Sequence, residues 1–493
     1  MKALVVIVSI LFAVFAGLAM AIAGEAALIL VVPLIVGTMI IRDYRVGVVI
    51  LVLIFPLFGS ALVPRAEGLN PYTYVTALTI TALMLRKSLG AGRIAWPPNM
   101  LWWCIALPLI AAFLLGLPHL SEGVRNLRQI NPAAKMDELS YFKQSIYEPL
   151  LLVIFAFLLS NAIIDSKKPE RFLVLFALSA MIVVLYVMAF TVSTGVAWGP
   201  HRWVISKAGM HYNGYGQLFA LAFGPLLFMA FVGRGPWRIF FSLAALIIFV
   251  GLVFNFARAG MLAALITVGL FLWRRRSIGA AAVLVGLAVV VFLLAPDEWR
   301  SRMLQGSDEV ATSYRGESYS QLTSGRLQGW LDLFPEVGSS PLYGRGMLST
   351  LWSSAVTNGL YPSSHPHNMY LQLLMDVGIL GLALVLYFYY TILRAMLTLS
   401  RDNGLEPRIR AFFAGAWASL VGNLILSITG WDWFPANEQS FLWFSIGMTF
   451  AYWSRATPVV VSTDKSESLF VRKRSLVSFL KEHDLNGLTN KNR

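Results

Sequence analysis

Residues 172–194 read FLVLFALSAMIVVLYVMAFTVST, an apolar stretch without a charged side chain. A helix needs about 20 such residues to cross the hydrocarbon core of a bilayer. Amphipathic helices and strands of soluble folds break a run of that length with polar positions. Working outward, similar runs recur near 3–23, 26–41, 46–63, 71–85, 100–117 and 149–164. Others follow near 214–232, 239–256, 258–273, 278–295, 368–393, 410–429 and 439–454. They predict an all-α polytopic membrane protein with about 12–14 transmembrane helices. Composition agrees: of 493 residues 57% are hydrophobic and 13% charged, with a mean hydropathy of +0.69. A soluble domain carries roughly 25% charge, so a cytosolic enzyme, a disordered chain and a secreted disulfide scaffold are excluded. The single cysteine, Cys104, lies inside an apolar run and reads as a small buried hydrophobe.

The formal net charge of +14 has a topological reading. If the N-terminus is cytoplasmic and each run crosses, bases concentrate on alternate connections. Among them are Arg42, Arg45, Arg86, Lys87, Lys167, Lys168, Arg234, Arg238 and Arg274 to Arg276, followed by the tail beyond Arg455. That is the positive-inside pattern, with both termini cytoplasmic. The basic surplus therefore marks orientation, and no nucleic-acid partner is expected. The chain divides into a transmembrane bundle (1–295), an outer loop or cap (296–366), further transmembrane helices (367–455) and a basic cytoplasmic tail (456–493). Ala21–Ile22–Ala23 looks like a signal-peptidase site, but another apolar run follows at once, so an uncleaved first span is expected.

Three outer segments, 118–148, 195–213 and 296–366, exceed what a turn needs. Within the last, residues 322–337 (LTSGRLQGWLDLFPEV) place Leu327, Trp330, Leu331 and Phe334 at helical spacing. An amphipathic helix is expected there, in a small packed or membrane-resting cap. Five of the six histidines, His119, His201, His211, His365 and His367, fall on the outer side. His201, His211, Tyr212 and Asn213 could border an acceptor there. Trp431, Asp432 and Trp433 read as an interfacial aromatic anchor or the wall of a sugar path.

The densest constellation is YPSSHPHNMYLQLLMDVGILG, residues 361–381. Ser363 or Ser364 can cap a helix whose first turn carries Pro366. His367 then falls in that first turn, where free N–H groups attract anions and lower an imidazole pKa, which suits a general base. Asn368, Gln372 and Asp376 follow at i, i+4 and i+8 as a polar stripe, a pattern that faces protein interior or a wet cavity. Gly378 and Gly381 allow close approach of another helix. His365–Pro366–His367 lacks a third ligand at evident spacing, so no metal site is expected.

Here the sequence resembles the O-antigen ligase and O-antigen polymerase family of bacterial inner-membrane proteins. The resemblance is carried by His367–Asn368 followed at fixed spacing by Gly378 and Gly381. Ser324–Gly325–Arg326 with Trp330, Pro341 and Gly344–Arg345–Gly346 add to it, as does Asn255–Phe256–Ala257–Arg258–Ala259–Gly260, where Asn255 and Ala257 replace the usual serines. It covers about residues 210–385. It implies a glycan transferase on the periplasmic face, moving a glycan from a polyprenyl-pyrophosphate carrier to a hydroxyl of lipid A–core or of a growing polysaccharide. His367 would be the base, with Arg258, Arg326 and, more weakly, Arg345 holding the pyrophosphate, because guanidinium binds phosphate bidentately and stays charged. His365, Asn368, Gln372 and Asp376 would support the site. No Asp-x-Asp pair occurs on the outer side, so neither a metal nor another cofactor is expected. The alternative is a flippase or transporter of lipid-linked oligosaccharides, which would instead carry paired ionisable residues near midplane.

Overall fold

The computed structural model describes residues 28–63, 70–90, 94–130, 136–194, 202–255, 257–276, 326–361, 363–430 and 432–456, with isolated positions and a short strand pair between 277 and 325. The predicted run 3–23, the Ala21–Ile22–Ala23 site, most of 278–295, His201, Ser324–Gly325, Trp431 and the tail beyond 456 lie outside the described residues.

The remaining apolar runs are helices. In chain order they are α1 (Leu28–Arg42), α2 (Tyr44–Ile54), α3 (Pro71–Ser88), α4 (Asn99–Ile130), α5 (Glu138–Ile164), α6 (Arg171–Ser193), the short α7 (Arg202–Lys207), α8 (Tyr212–Val232), α9 (Pro236–Phe254) and α10 (Arg258–Arg275). Strands β1 (Val310–Thr312) and β2 (Ser318–Ser320) pair antiparallel, Ala311 opposite Tyr319. Then come α11 (Arg326–Ser339), α12 (Met369–Leu399), α13 (Pro407–Leu426) and α14 (Ser440–Ala456). Seven helices among the described residues are long and apolar enough to cross a membrane: α4, α5, α6, α8, α9, α12 and α13 with its 3-10 extension to Thr429. The chain is thus an all-α polytopic membrane protein. Segment 118–148 is largely helical rather than loop, because α4 and α5 extend beyond their apolar cores. The amphipathic helix begins at Arg326, where its described residues start.

Prolines and small residues explain the irregularities. Pro108 in α4 and Pro149 in α5 cannot donate to the residue four earlier, and a π-helical turn precedes each, Trp102–Ala106 and Lys143–Tyr147. In α8, Pro225 follows Gly224, and the Ser419 hydroxyl of α13 enters the ladder there. It accepts from Gly224 N (3.1 Å) and donates to Ala220 O (3.0 Å). The two backbones touch at this level: a Cβ on Gly224 would lie 2.6 Å from Gly415 O. Small residues permit the contact, as in many membrane helix pairs.

α12 is broken at Gly378, whose φ of 64° and ψ of −169° are open to glycine alone. The loop 340–347 enters the break through its backbone. Arg345 N donates to Met375 O (2.7 Å), Gly346 N to Asp376 O (2.9 Å), Ile379 N to Pro341 O (2.9 Å) and Met347 N to Ala112 O of α4 (2.7 Å). Cβ atoms on Gly344, Gly346 or Gly378 would strike backbone at 2.4, 2.1 and 2.3 Å. The expected helix contact at Gly378 is therefore a loop contact, and the nearest side chain to Gly381 is Val377 of its own helix. From this anchor the cap reaches α4, where Asn126 Nδ2 donates to Leu351 O (2.7 Å). Leu333, Ala355, Val356, Tyr361, Leu371 and Met375 form a second small core between α11 and the head of α12.

Candidate active site

At one end of the bundle the heads of α8, α10, α11 and α12 meet the connection from α13 to α14. Each head is shaped locally. The His211 ring caps α8, its Nδ1 accepting from Asn213 N at 3.3 Å. Between α9 and α10 the chain breaks at Asn255–Ala257 and packs on Gly216 of α8, where a Cβ would sit 2.5 Å from that of Ala257. Asn255 is fully buried and donates to Tyr212 O (2.6 Å), tying the break to α8. Arg258 is consequently the first residue of α10, half-buried and beside free N–H groups of a helix start.

Arg326 is likewise the first residue of α11, its Nη1 donating to Thr429 O at the end of α13 (2.5 Å). Burial depresses the Arg326 pKa, and the positive charge of Arg258 depresses it further. The two guanidiniums therefore share one electrostatic site, the arrangement a dianion would relieve.

The histidine segment departs from its expected register. The helix starts at Met369, and its cap is Asn368, whose Oδ1 accepts from Tyr370 N (3.0 Å) and Leu371 N (3.2 Å). Ser363, Ser364 and Pro366 precede the helix. His367 is not in its first turn but one residue before the cap, at a left-handed φ of 52°. Such a conformation costs energy in a non-glycine residue and persists only where its surroundings impose it. Those surroundings are visible: Trp330 Nε1 donates to Pro366 O (2.8 Å), while Tyr361 and Ser363 hydroxyls both donate to His365 O at 3.0 Å. The His365 and His367 rings meet edge to face, 4.0 Å apart.

The His367 pKa is pushed down to about 3 by burial first, then by His365, Arg326 and His211. Burial also lowers His365, opposed by Asp432. The His367 imidazole is thus neutral near pH 7. The direction matches the expectation from sequence, but desolvation and neighbouring charge cause it rather than the helix dipole.

The expected polar stripe separates into distinct roles. Asn368 caps, Gln372 is buried, and Asp376 is fully buried in a structural network. Asp376 Oδ1 accepts from Ser349 N (3.1 Å) and Oγ (2.8 Å), and Oδ2 from Trp433 Nε1 (2.9 Å). Arg345 is committed elsewhere: it pairs with Glu336 and donates to Trp352 O (3.1 Å), away from Arg258 and Arg326. Glu336 Oε1 also accepts from Ser354 N (2.7 Å), so the pair fastens the cap.

Sequence reasoning missed Glu438 and the place of Asp432. Both are half-buried on the α13–α14 connection, hydrogen-bonded to each other, and raised in pKa by burial. Gln439 Nε2 holds this turn through Asp432 O (2.8 Å) and Phe434 O (3.1 Å). A single acid just before an apolar span is ordinary, so Glu438 gave no local signal. Among the described residues no group of three or more His, Cys, Asp or Glu side chains is placed to hold a metal ion.

No curated protein matches the chain. Residues 243–386 match the family model described as O-antigen ligase. The matched segment holds Arg258, Arg326, the loop that enters α12, both histidines and Gly378. Over that segment this polytopic membrane protein is similar to the O-antigen ligase family.

Proposed function

We propose that the protein is a glycan transferase of the bacterial inner membrane, with its site facing the periplasm. The donor is a glycan on a polyprenyl pyrophosphate, and the acceptor is a hydroxyl of lipid A–core or of a growing polysaccharide. The observation that carries this reading is a desolvated His367 that feels the charge of Arg326, which in turn feels that of Arg258. In the reaction, the acceptor oxygen attacks the anomeric carbon while its proton passes to His367. The bond from that carbon to the pyrophosphate oxygen breaks, and the polyprenyl pyrophosphate leaves as an anion. The pyrophosphate is already a good leaving group, and Arg258 and Arg326 stabilise the charge that develops on it. Proton transfer to a positioned base and charge stabilisation act on the same step.

Asp432 acts on His365 through its charge, and the His365 ring bounds that of His367. Arg345 acts through the cap rather than on the substrate. Because two guanidiniums neutralise the leaving group, turnover is expected to survive a metal chelator. Loss on chelation, with recovery on adding Mg²⁺, would show that the arginines do not suffice. The decisive experiment is deletion of the gene, with surface polysaccharide then separated on a gel. Free polymer without attachment identifies a ligase, and single-repeat products identify a polymerase. Loss of all outer-face intermediates would overturn the transferase reading in favour of a flippase.

A further inference from the structure

We infer that one face of α11 lies in membrane lipid, so that this helix is an interfacial element of the bilayer rather than part of a solvated cap. α11 has three faces. Gly329, Leu333 and Glu336 point into the protein, and a Cβ on Gly329 would strike the Tyr361 ring. Gln328 and Asp332 form a polar edge, hydrogen-bonded at 3.4 Å. Leu327, Leu331 and Phe334, at i, i+4 and i+7, are 55, 60 and 63% exposed. Water does not reward such a stripe of exposed apolar surface.

What covers it follows from continuity. Beyond the helix the chain exposes Leu342 (48%) and Tyr343 (62%). Backbone bonds from Ile379 N to Pro341 O and from Leu380 N to Leu342 O fix these residues against a membrane-spanning helix just past its break. Ile379 and Leu380 are themselves 53% exposed, on the outside of that span, where the neighbour is lipid. α12 runs a further 20 residues beyond Ile379 to Leu399, roughly 30 Å of helix at about 1.5 Å per residue, which matches the hydrocarbon core and puts this contact at its outer edge. Exposed apolar residues thus continue from the lipid-facing side of α12 through Leu342 and Tyr343 toward α11. An apolar face, a polar edge and a protein-packed face are what an interfacial helix requires. The inference rests on the chain spanning a membrane and not on the glycan-transfer reading. If both hold, Arg326 at the head of α11 sits at headgroup level, where a lipid-borne pyrophosphate diffuses.

The test uses full-length protein carrying Cys104→Ala, with one nitroxide label, in vesicles of phosphatidylethanolamine and phosphatidylglycerol. Labels go on Leu331→Cys, on Leu380→Cys as the lipid reference and on Gln328→Cys at the polar edge. The expected result is that Leu331 and Leu380 labels collide several-fold more with oxygen than with a water-soluble nickel chelate, and the Gln328 label the reverse. A Leu331 label that favours the nickel chelate places the face in water and overturns the inference. One shielded from both reagents places it against protein, a second copy included, and overturns it equally. If Leu331→Cys fails to fold, Leu327→Cys and Phe334→Cys report the same face. Since collision rates are read without any substrate, a failed transferase assay leaves this result standing.

Discussion

The two ends of the bundle treat charge in opposite ways. At the end away from the histidines, ions are matched. Asp43, though raised by burial, is lowered more by Arg45 at 2.6 Å and by Arg86 at 3.5 Å. Lys87 meets Asp165 at 2.8 Å, with the Tyr44 hydroxyl on the other carboxylate oxygen at 2.8 Å. Arg408 lies over the Trp237 ring, 4.9 Å from its centre, and Arg274 donates to Ser400 Oγ at 3.0 Å. At the histidine end, like charges crowd: Arg258 depresses Arg326, and Arg326 depresses both histidines. A matched network stabilises a fold and needs nothing further. A crowded one is costly alone and becomes favourable when an anion arrives, which is why binding is proposed at that end.

The sharpest way to break this contrast is at His367. His367→Ala is expected to slow transfer by roughly 10²–10⁴, the usual range for a positioned base, with melting unchanged. Arg258→Lys and Arg326→Lys should also be damaging, since lysine keeps charge and loses the fork. His365→Ala should cost less. Near-normal turnover of His367→Ala with a dead His365→Ala would shift the base by two residues.

Next in size is Gly378→Ala. The left-handed backbone and a Cβ at 2.3 Å from Leu342 should remove about 3 kcal/mol of stability or more, seen as early thermal unfolding in detergent. Unchanged melting would mean the loop and α12 part easily.

These two positions also show what the sequence could and could not disclose. Apolar length is a local property, so spans were legible wherever a run lacked charge. His367 and the arginines were legible as words of a motif. The helix start was misplaced because Ser363, Ser364 and Asn368 are all good caps; the left-handed turn at His367 decides among them, and that depends on Trp330 holding Pro366 from another helix. Gly378 reads as a packing glycine in one dimension, because only the entry of loop 340–347 reveals a broken helix. Arg345 looked free for phosphate because its partner, Glu336, lies across a fold rather than one helical turn away. The Asp432–Glu438 pair was hidden for the same reason.

The paired end should fail differently. Lys87→Met leaves the Asp165 carboxylate without its ion pair in a nearly closed site, the Lys87 side chain being only 5% exposed. A loss of about 2–3 kcal/mol in stability is expected, with transfer by the folded fraction unchanged. A variant that melts normally but turns over slowly would show that the two ends communicate.

The smallest expected effect is also the most specific to the crowded end. His367 is held near a pKa of about 3, well below the usual value of about 6.5. Between those two values the unfolded chain binds a proton that the folded one refuses. Its contribution to stability is therefore complete above pH 6.5 and is lost as pH falls toward 3. For catalysis the same shift means that the free enzyme keeps its base neutral at pH 5.5, so kcat/KM should change less than about two-fold between pH 7 and 5.5. Bound donor brings negative charge, which favours the imidazolium and should move the acid limb of kcat upward from that of kcat/KM. Arg326→Gln removes one of the charges that depress His367, and should raise the limb of kcat/KM in whatever activity remains. A limb of kcat/KM already at pH 6.5 in the unaltered protein would mean that His367 is solvated like a surface histidine, and the contrast between the two ends would collapse.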